Sequence, residues 1–397
     1  MPDVVNVWPE APKAAGDTIT KQAVIELPAN NREVLWYRIP LSWENALTES
    51  SDPFAIATVF VAMRLGADLR IHGTVSPSLL SNLEEFRQLW HCWMPHMYQQ
   101  GATIANHESE SVVAPYRHAL ACFSGGIDSC FTVYRHAKGL CGRQRQDIRS
   151  GVHLQWSRGG CSATITPTVR KITAMLDSLD IGLILMESNW RGLWRSLHIP
   201  WLDCHGAAYI AGASMLQAGF RMILFASTYS YDTLRPYGST PVGDILLSSE
   251  ALHVRHDGAA FSRVEKAAVL SQWPEAMRNL HVCWEGPDRH RNCGVCEKCI
   301  RTVLDFRVNG VSLPPAFEKD VSDDLVASVP IGSDIQLHEL ESILRQALCN
   351  GLAHESWVRA LARRVRRERR KNSIWSQLSS RLKLRARMRH ICSLVRH

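Results

Sequence analysis

The sequence predicts an α/β protein whose central part, residues 113–310, is a parallel sheet with helices on both faces. Three observations carry that expectation. Apolar runs alternate with helix-like segments from His118 onward, a Ser-Gly-Gly bend marks the first strand-to-helix junction, and four cysteines crowd into residues 283–299. An α+β N-terminal domain of unknown role is expected over 1–112, and a helical segment with a basic tail over 311–397.

The elements follow in order. QAVIEL and EVLWYRI alternate as strands do, whereas FAIATVFVAMRLG and SLLSNLEEFRQLWHCW have helical spacing. The polar stretch NHESES, from Asn106, reads as a linker. Then RHALACF is a strand and DSCFTVYRHAK a helix; GVHLQW is a strand and TPTVRKITAMLDSLD a helix with Pro167 in its first turn. GLILMES, RMILFAS and LHVRH are further strands, with DCHGAAYIAGASMLQAG and SRVEKAAVLSQ as further helices. Such alternation implies a parallel sheet, and right-handed crossovers put every strand-to-helix loop on its carboxyl edge.

Composition narrows the classes. At 397 residues and 46% hydrophobic, the chain can bury a large core. MPDVVNVWPEAPK has no basic start followed by an apolar run, so a cytoplasmic protein without a signal peptide is expected. The most apolar stretch, near Ala207–Ala226, contains Gln217 and Arg221 and reads as helix, glycine stop and strand rather than a membrane span. Twelve cysteines in a long chain, four of them clustered, point to a reducing compartment and a metal site. The net charge of +7 is local: from Arg359 onward 14 Lys and Arg face one acid, Glu368, so this tail carries +13 and the remainder −6. In the tail, Trp375, Leu378 and Leu382 share a helical face; the tail reads either as a solvated amphipathic helix or as a surface for a nucleic-acid or protein acceptor.

The bend Ser124-Gly125-Gly126-Ile127-Asp128-Ser129 ends an apolar strand and opens a helix. Glycines let successive N–H groups converge on an anion, and the helix N-terminus adds positive potential. Ser124 and Ser129 can donate hydroxyl hydrogen bonds. Asp128 repels phosphate, so it caps the helix or holds a Mg²⁺ that bridges to phosphate. The bend has neither the lysine of a Walker A loop nor the G-x-G-x-x-G of a dinucleotide fingerprint.

Cys283, Cys293, Cys296 and Cys299 are spaced C-x9-C-x2-C-x2-C. Four thiolates suit tetrahedral Zn²⁺ in a closed, structural site, with an iron–sulfur cluster as the alternative. Gly294 would permit the sharp turn between ligands.

These motifs carry a resemblance. SGGIDS is similar to the SGGxDS signature of the PP-loop ATP pyrophosphatases, whose sheet is of the HUP type and whose loop cradles the pyrophosphate of ATP. With the cysteine pattern, the following Arg301 and the order of the two motifs, residues 117–310 resemble 7-cyano-7-deazaguanine synthase. The resemblance implies adenylation of a carboxylate, such as 7-carboxy-7-deazaguanine, with release of PPi. Amide or nitrile formation with an amine or ammonia then follows, using ATP, Mg²⁺ and Zn²⁺. It implies that Asp128, Lys266 and Arg301 are catalytic and that Ser124, Gly125, Gly126, Asp128 and Ser129 bind ATP. The stretch STYSYDTLRPYGSTPVGDILLSSE offers Tyr231, Asp232, Arg235 and Asp244 as substrate or Mg²⁺ ligands, but lacks the synthase's Tyr-Pro-Asp-Cys-Arg motif, so the chain reads as a paralogue. Relatives of this kind with added regions occur in anti-phage defence clusters. His205 and Cys204 stand at the same edge. Other expectations are a sulfurtransferase using Cys122, Cys130 or Cys204 as a persulfide carrier, and a non-catalytic nucleotide-binding partner protein.

Overall fold

A computed structural model describes residues 3–28, 31–115, 117–157 and 165–372. In chain order the strands are β1 (Val4–Pro9), β2 (Lys13–Ala15), β3 (Thr18–Leu27), β4 (Asn31–Pro40), β5 (Asp68–Val75), β6 (Thr103–Glu108), β7 (His118–Cys122), β8 (Asp147–Trp156), β9 (Gly182–Ser188), β10 (Met222–Ala226) and β11 (His253–Asp257). The helices are α1 (Asp52–Leu65), α2 (Pro77–Trp93), α3 (Ile127–Ala137), α4 (Pro167–Asp177), α5 (Trp190–Leu193), α6 (Trp201–Ser214), α7 (Pro241–Asp244), α8 (Arg263–Leu270), α9 (Pro274–Asn279), α10 (Glu297–Arg307), α11 (Asp323–Ser328) and α12 (Asp334–Cys349). A further helix runs over 356–372. The chain divides into two compact units, Met1–His281 and Val282–His397.

In the first unit all eleven strands join one sheet, flanked by helices, in the order β11-β10-β7-β8-β9-β4-β3-β1-β5-β6, with β2 paired to β3. The five strands from β11 to β9 are parallel. The chain leaves β7 for β8 and β9 on one side, then returns to place β10 and β11 on the other. The β7–β10 pair therefore marks a topological switch point, where crossovers diverge; in doubly wound sheets ligands bind outside the carboxyl ends of the strands at such points.

The remaining strands are mainly antiparallel, and they follow directly on β9. β4 pairs with β9 through Tyr37 opposite Ser188 and Arg38 opposite Glu187. Asn189 strengthens the seam: its Oδ1 accepts from the Trp36 amide at 3.0 Å and its Nδ2 donates to the Val34 carbonyl at 2.7 Å. The sequence divides the chain near residues 112 and 310. The structure's units divide at 281 because this seam extends the parallel sheet into the N-terminal strands. The expected linker at Asn106 is instead part of edge strand β6, paired in parallel with β5. Its polar residues suit an exposed edge, where charge discourages further pairing.

Each element has a local cause. β3 alternates half-buried and buried residues along its whole length, the period of a strand with one face on the core. α1 has Asp52 through Met63 buried on every side, which explains its all-round apolar sequence. Its core contains Phe54 and Phe60, and burying each phenyl ring contributes roughly 1.5–3 kcal/mol. The α1 carbonyl of Ala57 accepts from Trp190 Nε1 at 2.7 Å, so the core runs beneath both halves of the sheet. α4 begins at Pro167, with Thr166 Oγ1 accepting from the Val169 amide at 3.2 Å. α8 opens with a capping box between Ser262 and Glu265.

The second unit contains α10, α11, α12 and the 356–372 helix. The last of these buries Trp357, Val358, Leu361 and Val365. The tail residues Trp375, Leu378 and Leu382 lie outside the described residues. Among the described residues, no helix is long and apolar enough to cross a membrane.

Candidate functional site

The SGGIDS bend leaves the carboxyl end of β7, one border of the switch point, and runs into α3. Gly125 has φ +76, the left-handed region that glycine adopts without a Cβ penalty. A Cβ there would also stand 3.2 Å from Ile172 Cγ1 and 3.3 Å from Met175 Cε. The carbonyl of Gly125 accepts from the His281 amide at 3.0 Å, and that of Phe123 accepts from His153 Nδ1 at 2.9 Å. Burial holds His153 below its ordinary pKa, so it is neutral at pH 7.

Hydroxyls organise the interior of the bend. Ser129 Oγ receives the Ser124 amide at 3.2 Å and lies 3.1 Å from Ser124 Oγ, which itself accepts from the Gly126 amide at 3.4 Å. The first N–H groups of any helix lack intrahelical acceptors, so α3 directs donors and its positive dipole end toward this bend.

Asp128 joins the bend to α8. Its Oδ1 accepts from Lys266 Nζ at 3.0 Å and its Oδ2 from Arg263 Nη1 at 3.1 Å. Lys266 is buried, and its ammonium also donates to the Ser227 carbonyl at 2.5 Å and to Ser227 Oγ at 3.0 Å. The Asp128 side chain keeps 20% exposure, against 2% for Lys266 and 8% for Arg263. One carboxylate thus faces two nearly buried cations beside a helix N-terminus. Lys266 thus touches the bend through Asp128, and Arg263 joins it unforeseen. The available signal was spacing: residues 263 and 266 lie three apart and share a face of α8.

The neighbouring network keeps α3 in place. Asp257, at the end of β11, accepts from Thr132 Oγ1 at 3.0 Å and from Arg135 Nε at 3.0 Å, and its Oδ1 lies 3.2 Å from His136 Nε2. His136 Nδ1 accepts the Gln146 amide at 2.9 Å, so Nε2 carries the proton donated to Asp257. Burial opposes the charge of Asp257, but His136 and Arg135 outweigh it and hold the carboxyl well below its ordinary range.

The other expected residues are placed differently. Asp244 is buried, with Oδ2 accepting from Ser239 Oγ at 2.7 Å and from His256 Nδ1 at 2.8 Å, and Oδ1 from the Thr240 amide at 3.2 Å. Those bonds fold the loop after β10 and occupy the carboxylate. Tyr231, Asp232 and Arg235 lie exposed in that loop, where the Ser230 hydroxyl donates to Asp232. His205 lies in α6 with its ring 4.8 Å from Tyr237. Arg301 belongs to the second unit, where its Nε is 2.7 Å from Glu297 and its Nη1 is 3.4 Å from Glu339. Burial disfavours its charge, but Glu297, Glu339 and Asp305 overcome that and raise its pKa.

The second unit also contains the cysteine group. Sγ of Cys283 and Cys296 are 3.8 Å apart, as are those of Cys293 and Cys299, and all four sulfurs lie within 4.8 Å of one another. A tetrahedron with metal–sulfur bonds of about 2.3 Å has edges of about 3.8 Å, so the group could hold a metal ion and is compatible with zinc. A disulfide would need sulfurs at about 2 Å. Gly294 has φ +75 and its Cβ position is 3.3 Å from the Lys319 carbonyl, so the expected turn between ligands is present. Cys296 caps α10 and Cys299 sits in its first turn. Asn292 ties the loop at its base, accepting from the Val282 amide at 3.0 Å and donating to the Ala316 carbonyl at 3.0 Å.

No family model matches this chain, and neither a curated protein nor a solved structure does.

Proposed function

We propose that the chain is an ATP-dependent synthetase that activates a carboxylate as its adenylate and releases PPi. One observation carries this reading: a glycine bend at the switch point of a parallel sheet, with Lys266 and Arg263 converging on Asp128 beside it. Donor N–H groups and two cations suit the polyanionic end of a nucleoside triphosphate.

The roles follow from the chemistry. Main-chain amides of the bend and the Ser124 and Ser129 hydroxyls bind the β- and γ-phosphates. A substrate carboxylate oxygen attacks the α-phosphorus, the bond from that phosphorus to the bridging oxygen breaks, and PPi departs with the electron pair. Lys266 and Arg263 offset the charge growing on the diphosphate. An amine or ammonia then attacks the acyl carbon, losing a proton as AMP leaves, and an amide forms. Mg²⁺, when bound, would neutralise phosphate charge, one carboxylate plus phosphates being a usual set for that ion; Asp128 would serve as that carboxylate only by exchanging Lys266 or Arg263, which hold its two oxygens, for the ion. Zn²⁺ in the cysteine group would be structural, since four thiolates leave no open position. A deazaguanine carboxylate is the substrate suggested by the motif resemblance.

Sulfur transfer draws less support. A persulfide carrier needs an accessible thiolate. Burial raises the thiol pKa of Cys122 and Cys130 and pushes that of Cys204 up to about 12.

The test is ATP–PPi exchange across a panel of carboxylates, with nucleotide products separated. AMP and PPi are expected, and formation of ADP and phosphate would overturn the reading.

A further inference from the structure

The 356–372 helix has two unlike faces. Trp357, Val358, Leu361 and Val365 are buried in the second unit. Arg364 is buried with them, its Nε donating to the Val329 carbonyl at 2.9 Å and its Nη1 to Glu368 at 2.7 Å. The outer face exposes Arg359, Arg363, Arg366, Arg367 and Arg370. At 3.6 residues per turn these five fall within a sector of about 100° and span about 16 Å of helix. Among the described residues, Arg363, Arg366, Arg367 and Arg370 meet no acidic side chain; the acids of this region pair elsewhere, Glu368 with Arg364 and Lys371, and Glu341 with Arg369.

A solvated helix intersperses acids with bases four residues apart, because like charges at that spacing repel. Here 359/363, 363/367 and 366/370 are all Arg–Arg pairs. Placing five guanidinium groups together disfavours the free helix unless something neutralises them. Every one is arginine, whose planar fork matches phosphate oxygens in a way the lysine ammonium does not. A membrane surface fits poorly, because a helix lying in lipid headgroups needs an apolar face to insert, and this one is already buried within its unit. We infer that this arginine face binds the phosphodiester backbone of a nucleic acid. The rest of the chain is net negative, so long-range attraction of an extended nucleic-acid strand favours the C-terminal region.

The test uses full-length protein, fluorescein-labelled 20-nucleotide single strands of RNA and of DNA, and anisotropy over a salt series. Binding of either strand is expected, with log K falling by about 0.7 per phosphate neutralised for each unit of log salt. The triple variant Arg363→Gln/Arg366→Gln/Arg370→Gln should bind at least tenfold more weakly and flatten the slope by about 2. An Arg-to-Lys triple variant should keep the slope while losing part of the affinity. Unchanged binding in the Gln variant, with an unchanged melting temperature, overturns the inference. So does a protein that ignores both strands but binds poly-glutamate or phosphatidylserine vesicles.

Discussion

The two glycine turns of this molecule are built alike and are equipped differently. Gly125 at φ +76 precedes α3, and Gly294 at φ +75 precedes α10; both helices have 11 residues. Each turn delivers a chain into a helix within three residues. In the first, hydroxyls, a carboxylate and two cations surround the turn, and the carboxylate stays partly exposed. In the second, four thiols close on a point. The backbone device supplies convergence and the side chains decide what converges, hydroxyls and charged groups in one case and four thiols that could hold a metal ion in the other.

The largest effect is expected where closure is complete. Cys296→Ser should lose the metal, and with it the folding of the second unit, because a structural zinc site contributes on the order of 10 kcal/mol. Elemental analysis of wild-type protein should give about one zinc per chain, and the variant should be poorly soluble. Iron in place of zinc would change the metal assigned, and a metal-free, soluble wild type would break the comparison.

Next comes the open turn. Ser124→Ala should lower PPi release by a factor of about 10²–10³, the size seen when one positioned donor to developing charge is removed, with only a small change in Tm. Asp128→Ala is a less clean probe: it strands Lys266 and Arg263, two nearly buried cations, and should also destabilise by about 3 kcal/mol. Equal Tm losses for both variants would mean that the bend is only structural.

Adding a Cβ at either glycine is a matched test. Gly125→Ala and Gly294→Ala each force a left-handed residue, at a cost of roughly 1–2 kcal/mol. Gly294→Ala should also reduce zinc retention, whereas Gly125→Ala should leave it unchanged. The smallest effect is expected for Arg263→Lys, which keeps the charge but loses the fork; a severalfold rise in the KM for ATP, with Tm unchanged, would separate phosphate binding from scaffold support.

Both turns were legible in the sequence because each is a short run with its chemistry side by side: SGGIDS in six residues, the cysteines in seventeen. The five strands and the longer helices from His118 to Leu270 were legible through periodicity, whereas the short α5 and α7 were not. What was not legible depends on partners far along the chain. The β4–β9 seam rests on two residue pairs about 150 positions apart, and no local pattern announces it. Asp244 looks like any loop acid until Ser239 and His256 are seen to occupy it. Arg263 reads as a surface residue until α8 turns it toward Asp128.

The seam has a consequence for how the chain can be cut. A fragment beginning near residue 113 would keep both glycine turns, yet it would strip β9 of its neighbour and bare a row of main-chain N–H and C=O groups. An uncovered border of that kind recruits other chains. The N-terminal strands therefore serve as the guard rail of the parallel half, and a shortened protein should clump even with every residue of the bend intact.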